Sequence, residues 1–189
     1  MSVSVEPLGL AGVQLVSPVV HGDQRGFFLE RFRASEYAQH GIGPFVQDNH
    51  SRSVRGVLRG LHWQLPPMAQ GKLVSVLQGS ILDVAVDLRH DADSFGRWVS
   101  AVLDDVSFRQ LWLPPGFAHG FVVLSERADV LYMTTAEYAP ELERGFAWHD
   151  PDVGIAWGED APQVSKRDAM LPRLRDLTES DLFTKASAS

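Results

Sequence analysis

Apolar and polar residues alternate with a period of two over most of the chain. The clearest run, 81–88, reads Ile-Leu-Asp-Val-Ala-Val-Asp-Leu. It puts Leu82, Val84, Val86 and Leu88 on one face and Ile81, Asp83, Ala85 and Asp87 on the other. Residues 72–78 precede it, and Gly79-Ser80 between the two runs predicts a hairpin turn. Similar runs predict strands over 13–20, 26–32, 57–64, 98–103, 108–113, 119–124 and 130–135. Asp104-Asp105, Pro114-Pro115-Gly116 and Ser125-Glu126-Arg127 separate them. Helical patterning is confined to 35–40, ended by Gly41, and to a short segment after Ser165. Short, closely spaced strands with few helices predict an all-β sandwich or barrel of antiparallel strands.

The 189 residues suit one domain with a full core and no need of staples. No repeat, low-complexity tract or linker interrupts it, and the Ala-Ser end, 185–189, is expected to fray. The absence of cysteine excludes disulfides, thiolate zinc sites and cysteine nucleophiles, and it reads as a reducing, cytoplasmic setting. Residues 1–10 lack the basic and apolar regions of a signal peptide, and no apolar run approaches a membrane span, so a soluble, unprocessed protein is expected. With 17 Lys and Arg against 24 Asp and Glu, the net charge of −7 disfavours a general nucleic-acid binder. A small anionic ligand held by a few local cations stays open.

The placement of polar residues raises more specific questions. If Asp83 and Asp87 point inward they line a polar cavity; if outward they are solvated, and alternation alone allows both. Gln47-Asp48-Asn49, the 56–64 stretch Gly-Val-Leu-Arg-Gly-Leu-His-Trp-Gln, and Gln70-Gly71-Lys72 hold the densest chemistry. Arg59 and His62 are three apart, so a regular strand aims them at opposite faces, and Gly60 is where a bulge brings both inward. His119 follows a Pro-Pro-Gly turn, where functional groups often sit. Two histidines hint at a barrel metal site, but Gln64 stands two residues after His62 and 65–71 contains no Glu, so no bound metal is expected. Tyr132 and Tyr138 share strand parity, yet they reach one pocket only if the chain bends between them. By itself Ser165-Lys166-Arg167-Asp168 reads as a solvated helix start.

Several stretches, taken in order, resemble one family. They are Asp23-Gln24-Arg25-Gly26 followed by Phe27-Phe28-Leu29-Glu30, Gln47-Asp48-Asn49-His50-Ser51, the 56–64 stretch, Gln70-Gly71-Lys72-Leu73, the 83–89 run, the 114–121 stretch, and Trp148-His149-Asp150-Pro151. Together they resemble the dTDP-4-dehydrorhamnose 3,5-epimerases, the RmlC-type cupins, over 12–172. The resemblance implies a cupin jelly-roll barrel with a few short helices and a homodimer that shares N-terminal strands. It also implies no metal or other cofactor, and a dTDP-4-keto-6-deoxyhexose substrate.

Epimerisation beside a ketone needs a base, a group that holds the enolate oxygen, and an acid on the opposite face. The resemblance assigns His62 as the base, Asp168 as the carboxylate orienting it, Lys72 as the cation beside the C4 oxygen and Tyr132 as the proton donor. It assigns Arg25, Glu30, Gln47, Asn49, Arg59, His119 and Glu143 as ligand contacts, with Tyr138 near the sugar or nucleotide. Arg167 stands where the family usually has a nucleotide-touching lysine, which keeps the charge but changes its geometry. Relatives that epimerise only C3 or only C5, or that move the keto group, share these motifs, although Tyr132 favours epimerisation over keto transfer. A metal-dependent cupin oxygenase and a non-catalytic sugar-nucleotide binder are the readings from other classes.

Overall fold

A computed structural model of the chain describes residues 3–188. Two antiparallel sheets face one another. The six-stranded sheet has the order β1 (Ser4–Pro7), β2 (Gln14–Ser17), β10 (Gln110–Leu113), β7 (Lys72–Gln78), β12 (Arg127–Thr134), β5 (Gln47–Val54). The five-stranded sheet has the order β13 (Glu143–Gly145), β6 (Leu58–Gln64), β11 (Phe117–Val123), β8 (Ser80–Asp87), β9 (Trp98–Asp104). A separate hairpin joins β3 (Val20–Asp23) to β4 (Gly26–Leu29). This is the antiparallel sandwich expected from the alternation and the jelly roll that the resemblance implies, and no helix among the described residues is long and apolar enough to cross a membrane.

Alternation explains the layers. Val74 and Val76 of β7, Ile81 and Ala85 of β8, Leu111 and Leu113 of β10, and Val130 of β12 meet between the sheets. The opposite face of the five-stranded sheet is also covered: Leu58, Val84, Val86, Ala118 and Val122 pack under Phe146, Val153, Trp157, Leu174 and Phe183 of the C-terminal segment. Strand β11 is therefore buried at every position. Asp83 and Asp87 point inward and are completely buried, but instead of lining a cavity they are held by side chains, Asp83 by His119 and Asp87 by Arg89 and Ser94.

Three expectations change. The Gly79 turn does not close a hairpin within one sheet, because β7 lies between β10 and β12 while β8 lies between β11 and β9. With φ +81°, Gly79 passes the chain from one sheet to the other, beside the Arg127 carbonyl oxygen, where a Cβ would clash. The predicted helix at 35–40 is one α-turn, α1 (Ala34–Tyr37), continued as a 3-10 turn over Ala38–His40 and ended by Gly41 at φ +73°. The segment after Ser165 is likewise a single 3-10 turn, Asp168–Met170. Finally, the described tail is not frayed: Asp91 accepts the Lys185 backbone N–H at 2.8 Å, and Ala188 packs against the C-terminal layer. Ser189 lies outside the described residues.

Candidate active site

A cavity of about 700 Å³ opens between the sheets, and most of the polar candidates line it. Strand β6 supplies Arg59 and His62 to one wall through the expected irregularity. His62 pairs with His119 and Arg59 with Phe121, so β6 carries one residue more than β11 over the same stretch. Gly60, at φ +121°, makes this possible.

His62 Nε2 lies 2.7 Å from Asp168 Oδ1. A carboxylate only accepts, so Nε2 donates and Nδ1 keeps its lone pair. Asp168 is brought there by the 3-10 turn, where its backbone N–H donates to Ser165 Oγ at 3.0 Å. Burial pushes the Asp168 carboxyl up, but the His62 hydrogen bond and charge, the Ser165 hydroxyl and the Gly60 N–H outweigh it and leave the group below its usual range.

Lys72 opens β7 with its Nζ 3.5 Å from the His62 carbonyl oxygen. Burial lowers its pKa to about 8 against the opposing fields of Glu143 and Asp83. Tyr132 lies in the middle of β12, in register with Val74 and Asn49. Burial raises its phenol above the usual value, with Arg59 opposing and Glu143 adding to the rise. His119 Nε2 meets Asp83 Oδ1 at 2.7 Å.

Around the mouth, Gln47 Nε2 donates to Asn49 Oδ1, and Gln47 Oε1 accepts the Tyr138 backbone N–H. Tyr138, which is 52% exposed, reaches the same cavity as Tyr132 because the chain leaves β12 at Thr134 and bends. Its hydroxyl donates to Glu143 Oε2 at 2.7 Å, and Arg167 Nη1 lies 2.5 Å from that same oxygen. Arg167 and Asp168 thus belong to the cavity wall and are not a solvated helix start.

Arg25 and Glu30 are not brought to the cavity of their own chain. Arg25 pairs with Asp23 at the tip of the β3–β4 hairpin, and Glu30 pairs with Arg33. The hairpin also exposes Phe27 and Phe28 by more than half, at 61% and 63%. Conversely, Ser51, Gln70, Gln163 and Ser165 line the cavity without having been singled out as site residues. Gln70 and Ser165 lie in stretches already noted, close to Lys72 and Asp168, and Ser51 continues the inward parity of Gln47 and Asn49; Gln163 carried no signal.

Gln64, at the position that weighed against a metal site, fixes a loop instead. Its amide donates to the carbonyls of Met68 and Glu137 and accepts the Ala139 N–H. Among the described residues no group of three or more His, Cys, Asp or Glu is placed to hold a metal ion. A second cavity, about 610 Å³ and lined by Phe95, Arg97, Trp98 and Arg175 among others, contains no acid–base pair comparable to His62 and Asp168.

Known proteins match this chain along nearly its whole length. The family model described as dTDP-4-dehydrorhamnose 3,5-epimerase matches residues 7–176. The enzyme of that name from Pseudomonas aeruginosa is 54% identical over 164 residues, covering 85% of this chain and 90% of its own. The structure of the epimerase RmlC from Legionella pneumophila in complex with dTDP-4-keto-L-rhamnose superposes with a TM-score of 0.93 at 43% identity, covering 96% of this chain and 98% of that one. NovW, a 4-keto-6-deoxy sugar epimerase from the novobiocin biosynthetic gene cluster of Streptomyces spheroides, gives a TM-score of 0.95 at 35% identity over 100% of this chain and 96% of its own. With its jelly-roll fold and these matches, the chain belongs to the dTDP-4-dehydrorhamnose 3,5-epimerase family of isomerases.

Proposed function

We propose that the protein epimerises C3 and C5 of a dTDP-4-keto-6-deoxyhexose through an enolate, without a cofactor. The observation that carries this reading is the placement of acid and base on opposing sheets. His62 projects from the five-stranded sheet and Tyr132 from the six-stranded sheet into one cavity, so a sugar ring between them meets a base on one face and an acid on the other. His62 Nδ1 takes the proton from the carbon beside the C4 ketone, and the electron pair of the broken C–H bond moves to the ketone oxygen. Asp168 stabilises the imidazolium that forms. The Lys72 ammonium stabilises the oxyanion. Tyr132 then donates its proton to the same carbon from the other side, inverting it.

Arg59 and Arg167 suit the diphosphate, because a guanidinium fork donates paired hydrogen bonds to phosphate oxygens. Arg25 and Glu30 reach a cavity in a homodimer whose β3–β4 hairpin crosses to the partner; the exposed Phe27 and Phe28 give that hairpin an apolar surface to bury. A cysteine-free chain acting on a nucleotide-activated sugar fits the cytoplasm.

The reading is tested by incubating the protein with dTDP-4-keto-6-deoxyglucose in D2O and following C3 and C5 by NMR. Deuterium at both carbons is expected, with exchange lost in His62→Ala. Deuterium at one carbon makes the protein a mono-epimerase. Binding of dTDP without any exchange makes it a sugar-nucleotide binder.

A further inference from the structure

His62 of β6 and His119 of β11 are opposite each other in register, and each directs Nε2 at its own carboxylate 2.7 Å away. The two carboxylates differ in setting. Asp168 lies on a turn and gains support from Ser165 and Gly60. Asp83 lies inside β8, is completely buried, and leaves its second oxygen, Oδ2, without a hydrogen-bond partner. An unsatisfied carboxylate oxygen in the interior is destabilising, so packing gives no reason for an acid at this position. Among the described residues the one hydrogen bond of its side chain is to His119.

We propose that Asp83 is a positioning residue that fixes His119 in the tautomer protonated on Nε2, so that Nδ1 meets the bound sugar as an acceptor for a ring hydroxyl. This rests on the reading of the cavity as the ketosugar site. A carboxylate cannot donate, so the neutral imidazole must place its single hydrogen on the nitrogen facing Asp83. The ring lines the cavity, and Nδ1 has no hydrogen-bond partner among the described residues. A hydroxyl of the substrate donates to that nitrogen, and a group unable to donate is disfavoured there. The charge of Asp83 also reaches Lys72, whose ammonium it favours against burial.

The tautomer is read in the unliganded wild-type protein by long-range 1H–15N correlation on 15N-histidine-labelled material. A protonated Nε2 and a bare Nδ1 on His119 are expected, and the opposite pattern overturns the proposal without any variant. In Asp83→Asn the carboxamide can donate to Nε2 and move the hydrogen to Nδ1. KM for dTDP-4-keto-6-deoxyglucose is then expected to rise at least tenfold, with a smaller fall in kcat. Because the KM effect runs through His119, while the field at Lys72 bears on kcat, the same substitution in a His119→Ala background is expected to change KM less than twofold. An unchanged KM in Asp83→Asn, or independent penalties in the double variant, overturns the proposal. A wild type that exchanges no carbon-bound hydrogen overturns the epimerase reading instead, and the 15N pattern still decides the tautomer.

Discussion

Gly60 and Gly120 meet back to back where β6 and β11 lose register. A Cβ on Gly60 would lie 2.5 Å from the Gly120 Cα and 2.7 Å from the His119 carbonyl oxygen, and the φ of +121° is one that L side chains rarely adopt. Relieving that contact requires β6 to move away from β11, and Arg59 and His62 move with it. Gly60→Ala is therefore expected to cost about 2–4 kcal/mol in urea unfolding and to reduce turnover beyond that loss. Gly41→Ala is the control: its φ is +73° but nothing lies near the added carbon, so about 1 kcal/mol and unchanged turnover are expected.

Asp168→Asn keeps the shape of the dyad and removes its charge. The imidazolium formed by proton abstraction then loses its counter-ion, and kcat is expected to fall by about 10²–10⁴-fold with little change in KM. Stability has its own signature. The Asp168 carboxyl titrates lower in the folded chain than in the unfolded one, so its contribution is fully present above the unfolded value and disappears as pH falls through the folded value. The gap between the urea midpoints of wild type and variant is expected to hold above about pH 4 and to close progressively as pH falls below it.

Lys72 sets activity against stability in one pH window. Its folded pKa of about 8 lies below the ordinary 10.5, so between those values the unfolded chain binds more protons and stability rises with pH. The ammonium disappears over the same window, and kcat is expected to fall as pH rises through about 8. Lys72→Met is expected to flatten the stability profile, raise stability at pH 7 by on the order of 1–3 kcal/mol, and lower kcat at least about tenfold.

The crossing hairpin is tested by mixing subunits. Arg25→Ala and His62→Ala each disable every site of their own homodimer. In a mixed dimer with crossed hairpins, one site receives His62 from one subunit and Arg25 from the other, so about half of wild-type activity is expected by counting intact sites. Without crossing, Arg25 lies away from every cavity, so Arg25→Ala alone retains activity and mixing restores nothing to His62→Ala.

Alternation revealed most of the sheets because most strands have one aliphatic inner face, as in β7 and β8. It failed at β5, where the inward positions Gln47, Asn49, Ser51 and Ser53 are polar and leave no hydrophobic period. It also failed at β13, three residues long, and at β1 and β3, which bury little. The Gly79 turn was legible but its sheet change was not, since a turn residue reports local φ and not the partners of the strands it joins. The bulge at Gly60 was legible from the spacing of Arg59 and His62. The meeting of His62 with Asp168 was not, because the two are 106 positions apart and no periodicity links them. Resemblance supplied that pairing, and it also named Arg25 and Glu30, which the chain does not bring to its own cavity.

The composition of β5 has one more consequence. This strand ends the six-stranded sheet, and its outward positions Asp48, His50, Arg52 and Val54 are all exposed. An open rim invites uncontrolled pairing with foreign strands when it is long, flat and aliphatic. Here the rim carries charge outside and amides and hydroxyls inside, so the polar residues that line the cavity also make the strand a poor template for aggregation.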